Sequence, residues 1–185
     1  LGDLEAAGVD RSSVELVAMT HAHPDHIGGN TQLVDGVWEP TFANARYLLP
    51  EPDWALVQLF GELAEGPLLS LHERGVLDLV SADRALTEEV RFVASHGHTP
   101  GHVCVEIESG GERAVILGDV VHHKLQLADP AGREAAESDE AVATRQAWYE
   151  RLATSDVRVF ATHFEEPAIG YFERAGSGYR FVEER

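Results

Sequence analysis

Short apolar runs of strand length recur along the chain, and most of them end at a polar or glycine-rich cluster. Runs of this kind occupy residues 14–19, 45–49, 90–94, 103–107, 114–117 and 157–161, and we predict a strand over each. A glycine-containing turn at 109–111 joins two of these strands as a hairpin. Residues 169–172 and 179–182 flank a second glycine-rich turn and predict a closing hairpin.

Two longer segments carry apolar residues at helical spacing. Residues 51–65 place four apolar side chains on one face, and residues 139–152 predict a second amphipathic helix with Asp139 as its cap. The chain also begins with a helix-like segment that ends at Gly8. Strands that alternate with helices in this way predict an α/β fold.

The composition is that of one globular protein. With 185 residues, of which 44% are hydrophobic and 25% charged, the chain can bury a core as a single domain over residues 1–185. We find no repeat and no linker that would divide it. The single cysteine, Cys104, excludes an internal disulfide and a cysteine-based zinc site, and its apolar surroundings predict a buried thiol.

The formal net charge of −18 argues against a nucleic-acid partner, because a phosphate backbone is bound mainly through lysine and arginine. No apolar stretch approaches the length of about 18 residues that spans a membrane, so we expect no membrane partner. The start at Leu1 carries no signal-peptide pattern, and the compartment stays open with the cytoplasm slightly favoured. We expect a small-molecule substrate, with a homodimer as a candidate assembly.

Candidate chemistry begins directly after the first predicted strand. Residues 20–29 read Thr-His-Ala-His-Pro-Asp-His-Ile-Gly-Gly, which packs three imidazoles and a carboxylate into six positions. These are ligand types of a borderline metal such as zinc. In extended backbone His21 and His23 project to the same side and can reach one ion, while Asp25 and His26 would face a second. The two glycines would let the backbone turn tightly away. The alternative is a histidine tract that binds metal adventitiously, but such tracts are expected in polar tails.

Three later segments offer further ligands, each at the end of a predicted strand. Residues 95–102, Ser-His-Gly-His-Thr-Pro-Gly-His, place three histidines in a constrained turn, Asp119 ends another strand, and His163 ends a fourth. Alone, Asp119 or His163 would more often be a capping or surface residue. Together, ligands at the ends of four separate strands predict a site on one edge of a sheet.

These motifs resemble the metallo-β-lactamase superfamily of metal-dependent hydrolases, whose first signature reads His-x-His-x-Asp-His. That signature stands at residues 21–26, and 98–102, Gly118-Asp119 and His163 follow in the family's order over essentially the whole chain. The resemblance implies an αββα four-layer sandwich. The family normally has a strand layer before the first motif that is longer than the segment present here, so we expect part of the N-terminal sheet to be lacking.

The resemblance also implies two divalent metal ions, with zinc as the expected pair. The ligands, with one residue bridging the ions, would be His21, His23 and His98 for the first ion, Asp25, His26 and His163 for the second, and Asp119 for both. His98 rather than His102 is the expected ligand, because the family usually uses the first histidine of the turn motif. His102 would then orient a ligand or serve the structure.

Within the superfamily the likeness is greatest to methyl parathion hydrolase-like enzymes and lactonases, through residues 94–102, the helix start near Trp54 and the ending at 176–182. Trp54 either lines the pocket, as an aromatic residue does in these relatives, or belongs to the core. Lactonases often carry a tyrosine three residues after the bridging aspartate. This chain has His122 there, which either donates a hydrogen bond to a substrate oxygen or lies on the surface beside His123.

The function implied by the resemblance is hydrolysis of a small ester, lactone or phosphotriester. Two ions can share a bridging hydroxide that attacks the substrate, since a metal lowers the pKa of bound water from about 15.7 towards about 7. Asp25 would orient this hydroxide or pass a proton to the leaving group, which makes Asp25, Asp119 and His122 the predicted catalytic residues.

The alternatives are a β-lactamase, a thioester hydrolase similar to glyoxalase II, and a catalytically inactive metal-binding module or fragment. A glutathione thioester would require a cluster of basic residues, which the 14 lysines and arginines do not form.

Overall fold

The computed structural model describes residues 1–134 and 137–183, apart from the side chains of Gln58 and Glu65. The chain divides into two compact units, Leu1–Ser81 and Ala82–Arg185. Each unit combines β-strands with α-helices, so the predicted α/β class is confirmed. A single domain over residues 1–185 stays a prediction.

The first unit is built from short strands and short helices. Its strands are β1 Leu16–Ala18, β2 Thr31–Val34, β3 Val37–Pro40, β4 Arg46–Pro50 and β5 Leu77–Val80. Its α-helices are α1 Gly2–Ala6, α2 Pro24–Ile27, α3 Val57–Phe60, α4 Glu62–Ala64 and α5 Ser70–Glu73. Three 3-10 turns cover Arg11–Ser13, Gly28–Asn30 and Glu51–Leu56, and a π-helical turn covers Glu65–Leu69.

A small parallel sheet in the order β1-β4-β5 organises the first unit, and β2 and β3 form a separate hairpin. Fully buried apolar side chains fill the core of this unit, among them Ile27, Tyr47, Leu49, Leu68 and Leu71. The predicted strands over residues 14–19 and 45–49 correspond to β1 and β4 and are confirmed. The histidine motif, residues 21–26, begins three residues after the end of β1 at Ala18. Its position therefore depends on the pairing of β1 with β4.

The single helix predicted over residues 51–65 is wrong. The segment begins as a 3-10 turn, continues as α3, and breaks at Gly61, whose φ of 52° ends that helix. Glycine takes this left-handed conformation without the steric penalty that a Cβ would cause. Leu59 and Leu63, two of the four apolar side chains at helical spacing, are 77% and 61% exposed. Apolar spacing alone therefore did not specify how this segment folds.

The second unit is built on a seven-stranded sheet, as far as its described residues go. Its strands are β6 Arg84–Ala85, β7 Val90–Ala94, β8 Val103–Ser109, β9 Glu112–Ile116, β10 Arg158–Phe160, β11 Ile169–Ala175 and β12 Gly178–Val182, and its helices are α6 Lys124–Ala128 and α7 Asp139–Ala153. The strands follow the order β12-β11-β10-β9-β8-β7-β6. β9 and β10 pair in parallel, and the other neighbours are antiparallel.

The strands predicted for the second unit and both of its hairpins are confirmed. The helix predicted over residues 139–152 is also confirmed as α7, but its cap is Ser138 rather than Asp139. The Ser138 side chain accepts the N–H of Ala141, while Asp139 lies inside the first turn. None of the helices in the described part of the chain has the length and apolar composition to cross a membrane.

The core of the second unit lies between its sheet and α7. Fully buried or nearly buried side chains from both elements meet there, among them Val115, Tyr149, Leu152 and Phe172. Cys104 on β8 belongs to the same core, as predicted, and burial raises the pKa of its thiol to about 12. A thiol in this environment stays protonated at neutral pH.

The hydroxyl of Tyr149 offers a test of this core. Tyr149 is fully buried, and its hydroxyl makes no hydrogen bond to any described residue. A buried polar group without a partner costs about 1–3 kcal/mol, so we expect Tyr149→Phe to leave the free energy of unfolding unchanged or to raise it. In the matched control Tyr179→Phe, the hydrogen bond from the hydroxyl to Glu150 Oε2, 2.9 Å long, is lost. The control should be destabilised by about 1 kcal/mol in urea unfolding, and an equal loss in Tyr149→Phe would contradict the expectation.

Candidate metal centre

The histidine motif forms the turn between β1 and α2. The Met19 N–H donates to Leu48 O, which continues the pairing of β1 with β4 beyond the last residue of the strand. His23 is the N-cap residue of α2 and has an extended backbone, with φ −67° and ψ 147°, and Pro24 occupies the first helical position. His21 and His23 therefore precede the helix, while Asp25 and His26 belong to the first turn of α2.

Three imidazole rings crowd together in this turn. His21 Nε2 and His23 Nδ1 are 3.2 Å apart, and the ring centroids of His21 and His26 are 4.1 Å apart. Asp25 Oδ2 lies 3.4 Å from His26 Nε2. His21 is fully buried, whereas the Asp25 side chain is 62% exposed. The turn thus presents closely spaced nitrogen donors with an accessible carboxylate beside them.

A buried carboxylate supports this turn from a distant part of the first unit. Asp53 lies in the 3-10 turn Glu51–Leu56 and is fully buried. Its Oδ2 accepts the N–H of Ala22 at 2.9 Å, and Ala22 is the residue between His21 and His23. No sequence pattern singled out Asp53, because the contact joins residues 31 positions apart.

The two glycines that follow the motif do not adopt conformations that require glycine. Gly28 has a φ of −58°, which every residue type can adopt, and Gly29 is not among the positive-φ glycines. A Cβ at either position would meet no atom within 4 Å. The prediction that these glycines permit a tight turn is therefore wrong, and the turn is made by Pro24 and the start of α2 instead.

In the second unit, a buried carboxylate collects three imidazoles. Asp119 is 5% exposed and follows β9 through a turn at Gly118, whose φ is 53°. Asp119 Oδ2 lies 3.2 Å from His98 Nε2 and 3.2 Å from His122 Nε2. Asp119 Oδ1 lies 3.3 Å from His163 Nε2. The two oxygens of one carboxylate therefore face different histidines.

His102 holds the backbone of Asp119 in place. It is fully buried, and its Nε2 accepts the N–H of Asp119 at 2.9 Å. Its Nδ1 lies 2.8 Å from Ser95 Oγ and 3.1 Å from Ser95 O. An accepting Nε2 implies the neutral tautomer with its proton on Nδ1, which donates to Ser95. Of the two histidines weighed for a ligand role, His98 faces the carboxylate and His102 serves the structure.

The turn that carries His98 packs against the N-terminus of α7. Gly97 has a φ of 128°, and a Cβ there would lie 2.3 Å from the backbone nitrogen of Ala141. Ser138 Oγ donates to Gly97 O at 3.0 Å, and Thr144 Oγ1 donates to the carbonyl oxygen of His96 at 2.7 Å. The start of α7 therefore fixes the backbone on which His98 stands.

His122 lies half-buried between two carboxylates. Its Nε2 faces Asp119 as described above, and its Nδ1 lies 3.5 Å from Glu134 Oε1. The hydrogen bond to Asp119 raises the pKa of His122 above its ordinary value. Gln126 Oε1 accepts the His122 N–H at 2.7 Å, and Gln126 Nε2 donates to Glu134 at 2.6 Å. His123, by contrast, is exposed and caps α6.

Trp54, for which the sequence left a pocket role and a core role open, lies at the core of the first unit. Trp54 is half-buried, packs against the core of that unit, and has its ring 4.8 Å from the ring of His72. Its core role, the second of the two predicted alternatives, is the one observed. Phe60 instead lies next to the motif, with its ring 5.8 Å from that of His23. No sequence pattern indicated this proximity.

The donors in both units fit divalent metal ions. Imidazole nitrogen and carboxylate oxygen are the common ligands of zinc and of other borderline metals. The two oxygens of Asp119 face different imidazoles, so each oxygen lies beside at least one nitrogen donor. His102 supplies the kind of outer support that orients metal ligands.

A family model described as the metallo-β-lactamase superfamily matches residues 1–163. The chain belongs to this superfamily. A probable metallo-hydrolase of Mycobacterium tuberculosis is 30% identical over 132 residues, which are 67% of this chain and 42% of the relative. A second probable metallo-hydrolase, from Bacillus subtilis, is 28% identical over 120 residues, which are 58% of this chain and 45% of the relative. The chain thus spans less than half the length of the curated relatives that it matches.

Two solved structures in particular resemble this metallo-β-lactamase superfamily member. The hydrolase AbOPH of the β-lactamase superfamily superposes with a TM-score of 0.87 at 24% identity, over 98% of this chain and 68% of that one. AidC, a dizinc quorum-quenching lactonase in complex with a product, gives a TM-score of 0.81 at 23% identity, over 100% of this chain and 69% of that one. These likenesses confirm the predicted metallo-β-lactamase fold. They also confirm that lactonases are among the structural neighbours of the chain.

Gly97 provides a test of how the superfamily turn bearing His98 is held. We expect Gly97→Ala to lower the free energy of unfolding by about 3 kcal/mol. The backbone conformation is strained for alanine, and the Cβ of alanine would overlap α7. Gly28→Ala is the matched control, with an ordinary φ and open space around the new Cβ. Urea unfolding of both variants is the measurement. Equal stability of the two would mean that α7 does not constrain this turn.

Proposed function

We propose that the protein is a metal-dependent hydrolase that uses two zinc ions. The ligands would be those that the family resemblance implies, namely His21, His23, Asp25, His26, His98, Asp119 and His163. Both the superfamily membership and the donor chemistry of the two units support this proposal. The dizinc centre of AidC, a structural neighbour, supports zinc as the metal.

The observation that carries the proposal is that the two oxygens of Asp119 face different histidines. One of its oxygens faces His98 and the other faces His163, at 3.2 and 3.3 Å. In the proposed ligand set these two histidines belong to different ions, so a carboxylate with one oxygen for each is what a bridging ligand requires. We propose that His21 and His23 would complete the ligand set of the ion held by His98. Asp25 and His26 would complete that of the ion held by His163.

When bound, the two ions would lower the pKa of a water molecule and polarise the substrate oxygen under attack. The residues of the chain would provide the proton transfers. The Asp25 side chain is 62% exposed and stands beside the buried imidazoles of its motif, so its carboxylate can accept a proton and release it to a leaving group. Asp119 holds its place through its backbone contact with His102.

His122 Nε2 faces Asp119 in this structure, and we propose that it would donate its hydrogen bond to an oxygen of the substrate once metal ions engage that carboxylate. Contacts at both nitrogens, with Asp119 on one side and Glu134 on the other, hold the ring in one orientation. Gln126 links the two sides, because it binds the His122 backbone and the Glu134 carboxylate at once. A ring held in this way loses little orientational entropy when a substrate arrives.

The substrate we propose is a small uncharged lactone, ester or phosphotriester. A chain with a net charge of −18 repels anionic substrates, which argues against a glutathione thioester. Phe60 beside His23, with the exposed Leu59 next to it in sequence, provides apolar surface near the motif. A lactone is the first choice, because AidC and several other solved structures with this fold are lactonases. β-Lactams are the alternative to be screened beside it.

Metal removal and Asp119→Ala test the proposed function. We expect the wild-type protein to bind two zinc ions per chain and to hydrolyse a lactone or an aryl ester, and we expect a chelator to abolish turnover until zinc is restored. Asp119→Ala should lose both zinc and activity, since removal of a shared ligand weakens both sites. Metal content by elemental analysis and initial rates on lactone, aryl ester, phosphotriester and β-lactam substrates are the measurements.

The control for this experiment is Asp129→Ala, which removes an exposed carboxylate at the end of α6. It should bind zinc and turn over substrate like the wild type. A metal-stripped protein that retained the full rate would exclude the mechanism. Stoichiometric zinc without turnover of any substrate class would identify a binding module instead of an enzyme.

His122→Phe tests the role of the histidine beside Asp119. We expect zinc content to stay at the wild-type level while kcat falls about 10²-fold, the lower end of the range for a positioned proton donor. His123→Asn is the matched control, because asparagine preserves the capping of α6 and His123 is exposed. Steady-state kinetics on the best substrate separates the two variants. An unchanged kcat in His122→Phe would assign that residue to the structure alone.

A further inference from the structure

The buried Asp53 is a charged group that the proposed hydrolysis does not use. Its carboxylate is fully buried in the first unit, and its Oδ2 accepts the N–H of Ala22 at 2.9 Å. Ala22 is itself fully buried, and its two chain neighbours are the first two histidines of the motif. A hydrogen bond at this point fixes the peptide group that joins His21 to Ala22, one residue before His23.

The Ala22 N–H by itself does not require a charged partner. A neutral amide oxygen accepts a backbone N–H as well as a carboxylate oxygen does. Burial of a carboxylate is far more costly than burial of an amide unless positive charge is near, because the interior solvates an anion poorly. A cation bound close to this position would therefore stabilise the buried carboxylate.

A metal ion bound by the turn would be such a cation. The turn brings His21 Nε2 and His23 Nδ1 to within 3.2 Å of each other, where both can face one ion. A negative charge one hydrogen bond behind the same peptide attracts that ion through the poorly screening interior. The carboxylate would thus act on the metal in two ways, through the geometry of the turn and through its charge.

We infer that Asp53 is a positioning residue of the metal site, which fixes the turn from His21 to His23 and raises the affinity of that turn for a divalent cation. This inference rests on the proposed metal binding but not on the nature of the substrate. It assigns a role to a residue that is remote in sequence from all the ligands in its unit. The role is expressed in metal affinity, which can be measured without any turnover.

Three variants separate the two contributions. Asp53→Asn keeps an acceptor oxygen for the Ala22 N–H but removes the charge, and Asp53→Ala removes both. Asp78→Asn is the matched control, since Asp78 is a carboxylate of the same unit on β5 that pairs with Arg46 at the surface. We expect the Kd for Zn²⁺ to rise about tenfold in Asp53→Asn, to rise further in Asp53→Ala, and to stay unchanged in Asp78→Asn.

Two measurements on the full chain decide the matter. Competition with a chromophoric chelator gives the Kd for Zn²⁺, and thermal unfolding with and without Zn²⁺ gives the gain in Tm on metal binding. Ligand binding to the folded state raises Tm by an amount that depends on Kd. We therefore expect a smaller gain for both Asp53 variants than for the wild type. A purely structural role would lower the two melting temperatures equally and leave the gain unchanged.

The outcomes distinguish this inference from the proposed function. If the wild type binds no Zn²⁺, the proposed function fails and the inference fails with it. If the wild type binds Zn²⁺ and both Asp53 variants show the wild-type Kd and gain in Tm, only the inference is overturned. An Asp53→Asn protein that cannot fold even with Zn²⁺ would show that the charge serves folding itself, which also overturns it.

Discussion

The contact between one buried carboxylate and three imidazoles is the constraint on which the second unit depends. Asp119 is almost inaccessible to solvent, and the nitrogens of His98, His122 and His163 all lie within 3.3 Å of its oxygens. Such a cluster is costly in the interior of a protein unless positive charge compensates the carboxylate. The surroundings are accordingly rigid, since His102 binds the Asp119 backbone and α7 packs against the turn of His98.

Sheet topology explains why side chains that are distant in sequence meet at this carboxylate. β7 and β9 both run antiparallel to β8, and β10 runs parallel to β9, so the carboxyl ends of β7, β9 and β10 point to the same edge of the sheet. His98, Asp119 and His163 each follow one of these three strands. The first unit reaches its own cluster differently, through a dense local motif that changes from extended backbone to helix at Pro24.

Local sequence patterns predicted the strands around the site and the candidate ligand residues that follow them. Strand-length apolar runs predicted β1, β4 and the strands of the second unit, and the motifs that follow these strands resemble those of the superfamily. The residues that support the ligands were not predictable, because Asp53, Glu134 and Gly97 act through contacts with partners far along the chain or on another element. Apolar spacing also failed over residues 51–65, where a single glycine conformation at Gly61 outweighed the helical pattern.

The candidate site combines residues that the sequence motifs contain with residues that contact them but follow no motif. A metal centre with the same ligand types can serve many reactions, so ligand identity fixes the catalytic chemistry but leaves the substrate open. Selectivity must then come from side chains that the ligand motif does not dictate. His122 and Phe60 are such residues, because His122 contacts Asp119 and Phe60 lies beside His23 without either belonging to the motif. Differences in substrate among proteins of this fold should therefore follow changes at positions like these rather than changes in the ligands.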